Sequence, residues 1–138
     1  MRKIILMTML ATVAWAAKAQ DTKSYEQKMS QIEAQYKTLE ADYRAFGKKD
    51  PTTFTDAEKA RLNEIMMRAD SLDKLQKATV LEIVEKFKST KFPAKYVADI
   101  MYDVEYDQLK ALCDPKTGYY NEPEMTKVKQ LFDSYKLR

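Results

Sequence analysis

The chain of 138 residues contains no histidine, one cysteine, two glycines, four prolines and one tryptophan. Each shortage excludes something. Without histidine there is no imidazole-based triad and no histidine-ligated metal site. A single cysteine, Cys113, cannot close an intrachain disulfide or a Cys-x-x-Cys redox pair. Gly47 and Gly118 stand far apart, so no glycine-rich phosphate loop exists. No segment shows the strict alternation that would mark a strand.

What is present begins with an address. Met1, Arg2 and Lys3 form a basic start. Ile4 to Trp15 is a 12-residue apolar run broken only by Thr8 and Thr12. Ala17-Lys18-Ala19 then supplies a small-x-small cleavage pattern. That order is the layout of a secretory signal peptide, and the run falls short of the roughly 20 residues a bilayer span needs. A buried N-terminal helix would share the run but not the ordered flanks. Cleavage after Ala19 is expected, placing residues 20–138 in the periplasm or outside the cell with no membrane anchor. Removing 19 of 138 residues leaves 119. Arg2, Lys3 and Lys18 go with the leader, and they are the whole of the formal net charge of +3. The balanced remainder offers no electrostatic footprint for nucleic acid.

The rest reads as an all-α domain: a long antiparallel hairpin whose far end is packed by three short helices. Tyr25, Met29, Ile32, Tyr36, Leu39, Tyr43 and Phe46 recur at spacings of 4 and 3. This predicts one amphipathic helix over Lys23 to Phe46, ended by Gly47. Thr55 and Glu58 make a capping box for a second helix. Nothing breaks Asp56 to Ser89, so that helix is about 34 residues and roughly 50 Å long. Acid-first pairs four apart, such as Glu64 with Arg68 and Asp73 with Lys77, support it. The shorter first helix is expected to place Tyr25 beside Leu75 to Thr79. Beyond that point Val80, Leu81, Ile83, Val84 and Phe87 widen the apolar arc and call for a cover. Three short helices provide it, the first with Pro93 in its opening turn and the others capped at Asp103 and Asn121, with Tyr106, Leu109 and Leu112 facing inward.

Candidate sites are few. The aromatic stripe ordinarily buries itself against the second helix. Its functional variant leaves Tyr25, Met29, Tyr36, Tyr43 and Phe46 exposed to grip a protein partner. Cys113 is expected to be a packed residue, with an intermolecular thiol as the alternative. Asp99, Asp103, Glu105 and Asp107 lack the glycine of a calcium loop, and helix capping with dipole complementation accounts for Asp103, Glu105 and Asp107. No catalytic residue, metal or cofactor is expected.

Arg61-Leu62-Asn63-Glu64, Lys77 to Phe87 (KATVLEIVEKF), Phe92 to Tyr96 (FPAKY) and above all Tyr106 to Leu112 (YDQLKAL) resemble the helical spacer of secreted TlpA-like thiol-disulfide oxidoreductases. Glu124 to Leu137 (EMTKVKQLFDSYKL) is similar to the helix leading into their thioredoxin domain. The resemblance implies fold and compartment, and association with a thioredoxin-like protein or a truncated gene. The family's β-domain and its Cys-x-x-Cys have no matching positions, so no catalytic residue carries over. Phe54 to Glu58 with Leu62 to Met66 is similar to the Leu-Thr-x-x-Gln element of Spy/CpxP-like periplasmic chaperones, with Phe and Glu at the Leu and Gln places. The expected activity is that of a non-enzymatic scaffold or docking module, with ATP-independent chaperone or enzyme fragment as alternatives. Expected partners are proteins: a thioredoxin-like protein, an unfolded client or a second copy of the chain.

Overall fold

The computed structural model describes residues 2–136, with side chains described from 21 to 136. The architecture is all-α, with no strand among the described residues. Its helices are α1 (Arg2–Arg44), α2 (Asp56–Phe87), α3 (Ala94–Val97), α4 (Tyr106–Leu112) and α5 (Thr126–Lys136). Short 3-10 turns occupy Pro51–Thr53, Ala98–Ile100 and Pro123–Met125. The helix expected from Lys23 thus starts upstream, at Arg2, because no glycine or proline intervenes. The apolar run and the cleavage pattern lie outside the residues whose side chains are described.

Local chemistry sets the hairpin. α1 ends as its last turn tightens, with Gly47 N donating to Arg44 O at 2.8 Å. Gly47 then takes φ 59°, the left-handed conformation glycine tolerates best. Glu58 N donates to Thr55 Oγ1 at 3.2 Å and Thr55 N donates to Glu58 Oε1 at 3.3 Å, so the capping box is complete. Lys49 Nζ donates to Glu58 Oε1 at 2.7 Å, and the Phe46 and Phe54 rings meet at 5.5 Å. The connecting segment is therefore packed on the first turn of α2.

That packing shifts the register. Contacts pair Asp42 with Arg61, Tyr36 with Asp73 and Gln76, and Tyr25 with Glu82 and Phe87. Numbers fall on α1 as they rise on α2, so the helices are antiparallel. Tyr25 was expected beside Leu75 to Thr79; it lies about one turn or more further along α2. The first turn of α2 pairs with the connecting segment instead of α1, and the offset follows.

One core runs from the hairpin into the cover. Val80, Ile83, Val97, Ile100, Tyr119, Met125 and Val128 are fully buried in it. Each such aliphatic side chain contributes about 1.5–3 kcal/mol by leaving water. The expected caps move by a residue or two. Glu105, not Asp103, precedes α4, because Glu105 is the residue whose N–H meets the Gln108 side chain, at 3.2 Å. Glu122, not Asn121, precedes the Pro123 turn, because a residue before proline is driven to extended backbone, here ψ 145°. Tyr106, expected inward, stays 47 % exposed on the outer side of α4.

Gly118 joins the cover to the hairpin. Its N–H donates to Lys88 O at 2.8 Å, just past the end of α2. A Cβ there would sit 2.3 Å from Ser89 O and 2.7 Å from Thr90 N. The position requires glycine for close backbone approach, not for a special φ.

Candidate functional site

The tyrosine seam divides into a sealed part and an open part. Tyr25 is 5 % exposed, donates to Glu82 Oε1 at 2.7 Å and meets Phe87 edge-on at 5.9 Å. Met29 is buried in the same core. These two candidate partner-binding residues are therefore internal, a correction that follows from α2 reaching past them. Tyr36 is half-buried and donates to Asp73 and, at 3.2 Å, to Gln76 Oε1. Phe46 is half-buried beside Phe54. Tyr43 remains 60 % exposed. Asp73, expected to support α2 through Lys77, and Glu82 thus serve as acceptors across the helix pair.

A groove of about 760 Å³ runs along one side of the hairpin. Leu39 of α1 and Leu72 of α2 form its floor, and Ala60, Met67, Ser71 and Leu75 one wall. Gln35, Thr38 and Asp42 border it from α1, Glu64 and Arg68 from α2. Met67 is 64 % exposed and Leu75 is 50 % exposed; Met66, at 62 %, lies next to Met67 on α2. The charges at the rim are already matched: Arg68 Nη2 donates to Glu64 Oε1 at 2.6 Å, and Arg61 stands 3.8 Å from Asp42. The groove is therefore an apolar trough with a neutral edge, suited to non-directional contact with an apolar surface. Sequence reasoning missed it, because it assigned the exposed apolar surface to the tyrosine seam. The signal was present in Met67 and Leu75, which fall off the buried stripe of α2.

The remaining polar features are structural. Glu26, Glu33, Tyr36, Tyr96 and Asp99 border a cleft of about 410 Å³. Glu26 and Glu33 each have a lysine at 3.5 Å, Lys95 and Lys37 respectively. Burial, and then Glu33, holds the Asp99 carboxyl above its usual range. The acidic residues Asp103, Glu105 and Asp107 do not converge with it: among the described residues no three ligating side chains gather as a metal site would require. Cys113 is 5 % exposed, with Sγ 3.8 Å from Val128 O. Burial, followed by Asp133, pushes its thiol up to about 11. The nucleophilic thiolate is thereby suppressed at neutral pH. Cross-linking through Cys113 requires its buried sulfur to be exposed first. Outside the cover, Tyr106 stacks on Phe132 at 5.8 Å and meets Tyr135 edge-on at 6.1 Å.

Four buried or half-buried tyrosines set an alkaline limit. Burial raises Tyr25, Tyr36, Tyr96 and Tyr119; hydrogen bonds to Glu82 and Asp73 add to the first two, and Tyr119 reaches about 12. The Tyr119 hydroxyl has no partner among the described residues, and the neighbouring Thr117 donates to Asp114 O at 2.9 Å. A folded value above the unfolded one, near 10, stabilises the fold fully below that pH and loses the contribution as pH rises through the folded values. Melting temperature is expected to hold up to about pH 9 and to drop between about pH 10 and 12. Tyrosinate absorbance of these residues is expected to rise with unfolding, not before it. Complete ionisation of all tyrosines with helix content intact would show that the seam is open.

No family model, no curated protein and no solved structure matches this chain.

Proposed function

We propose that the chain is an exported, non-catalytic helical module that docks a protein partner in the hairpin groove, similar in role to the spacer of TlpA-like oxidoreductases. The observation that carries this reading is the contrast between sealed and open surface. The cover consumes the apolar arc of α2 from Val80 to Phe87, while Met67 and Leu75 stay exposed beside Leu39 and Leu72. Large apolar side chains held together at a surface mark interaction sites.

A second reading has its own support. Methionine side chains are flexible and polarisable, and adapt to varied apolar surfaces. Met67 on an open groove, with exposed Met66 beside it on α2, suits an ATP-independent chaperone that holds unfolded chains.

One pair of substitutions tests both. Met67→Lys with Leu75→Lys places two charges on the groove while leaving the core untouched. Melting temperature is expected to change by no more than about 2 °C, since exposed positions cost little. Binding of a partner or suppression of client aggregation at equimolar ratio is expected to fall about tenfold or more. Binding in one defined stoichiometry favours docking, and protection of several unrelated clients favours the chaperone. Unchanged binding and protection in the doubly charged variant would remove the groove from either role.

A further inference from the structure

Cleavage after Ala19 makes Gln20 the first residue and Asp21 the second. Glutamine is the standard residue whose own side-chain amide can close onto its α-amine in a five-membered ring. The surroundings favour that closure. Asp21 is exposed, and the first side chain locked into the core is Tyr25, five positions on. The new terminus therefore stands one turn or so of helix before the first side chain anchored in the core.

Lysines gather around Tyr25 at that end of the molecule, beside the Glu82 carboxylate that accepts from its hydroxyl. Lys28 Nζ lies 5.2 Å from the centre of the Tyr25 ring, and Lys86 Nζ lies 5.4 Å from it. The unpaired amides at the start of a helix add partial positive charge. A protonated α-amine at position 20 would be a further like charge. Asp21 and Glu82 are the acids that offset them: after the Tyr25 hydroxyl, both favour the charged form of Lys86.

We infer that the mature chain begins with pyroglutamate, formed from Gln20 after export. The inference rests on the export reading given above. The unprotonated α-amine nitrogen attacks Cδ of the Gln20 side chain. A new lactam C–N bond forms, the bond from Cδ to Nε2 breaks, and Nε2 leaves as ammonia with the proton taken from the amine. No oxidant, reductant or second substrate is consumed. The product removes the terminal positive charge and blocks the N-terminus to aminopeptidases, as other terminal blocking groups do.

The test uses the full 138-residue chain, expressed with its own leader in an exporting bacterium and purified from the periplasm. After incubation at neutral pH, the intact mass is expected to lie about 17 Da, one ammonia, below that of residues 20–138 with a free amine. N-terminal sequencing is expected to read nothing until pyroglutamyl aminopeptidase is added, and then to begin at Asp21. The Gln20→Ala variant is expected to show the free-amine mass and to sequence directly from position 20. A chain starting at Gln20 whose amine stays free overturns the modification and leaves export standing. A chain that retains Met1 overturns both, and a chain cut at another position overturns the modification alone.

Discussion

Replacing Gly118 by alanine is expected to destabilise the fold by about 3 kcal/mol, at the upper end of what overpacking costs. For a chain of this size that lowers the melting temperature by roughly 10 °C or more. The added Cβ would meet backbone, at 2.3 Å from Ser89 O and 2.4 Å from Ser89 C, not the movable end of a side chain. Relief requires the turn at 114–118 to withdraw from α2. Withdrawal breaks the 2.8 Å bond from Gly118 N to Lys88 O and draws Tyr119, fully buried, out of the core. Gly47→Ala is the control. Nothing lies within 4 Å of its added Cβ, so its cost is confined to φ 59°. A thermal melt that finds Gly118→Ala within 2 °C of the parent chain would mean that the cover does not rest on α2 as described.

Ile32→Asp is expected to cost about 4 kcal/mol or more. Ile32 keeps 3 % of its surface and sits in the core between Met29 and Tyr36. Truncating a buried isoleucine alone costs about 2–5 kcal/mol, and an unpaired charge adds to that. Glu33 and its Lys37 partner, one position away, are more than 70 % exposed, so Glu33→Ala is expected to cost under about 0.5 kcal/mol. The contrast separates a docked α1 from a helix that merely exists. Equal melting temperatures for Ile32→Asp and Glu33→Ala would show that α1 is not packed on α2.

The parts of the fold that local chemistry decides were legible in the chain. The Thr55 and Glu58 box, the Gly47 cap and the unbroken α2 depend on residues within a few positions of one another. The all-α class followed from them. The parts that depend on approach between distant segments were not. Gly118 announced a turn, but its closeness to Ser89 exists only once the cover is folded. The Tyr25 end slid along α2 because residues 45–55 pack on the first turn, a tertiary fact. Asp103 was the expected cap of α4, and Glu105 takes that place because its N–H meets the Gln108 side chain.

The candidate surface shows the same division. The spacing of Tyr25, Met29, Tyr36, Tyr43 and Phe46 announced a seam, and a seam is present. Which of its members stay outside depends on how far α2 extends, so Tyr25 and Met29 turned out internal while Tyr43 did not. Met67 and Leu75 lie off the stripe that α2 buries. They become one wall of a groove only when Leu39 is brought beside Leu72.

Site-specific photo-cross-linking in the native compartment tests the central claim most directly. A photoreactive phenylalanine analogue is placed at Met67, in the groove, and separately at Lys127, on the cover and outside it. The account predicts a protein adduct from position 67 and none from position 127, with the position-67 adduct lost when Leu75→Lys is added. Adducts of equal yield from both positions, or from position 127 alone, would contradict it.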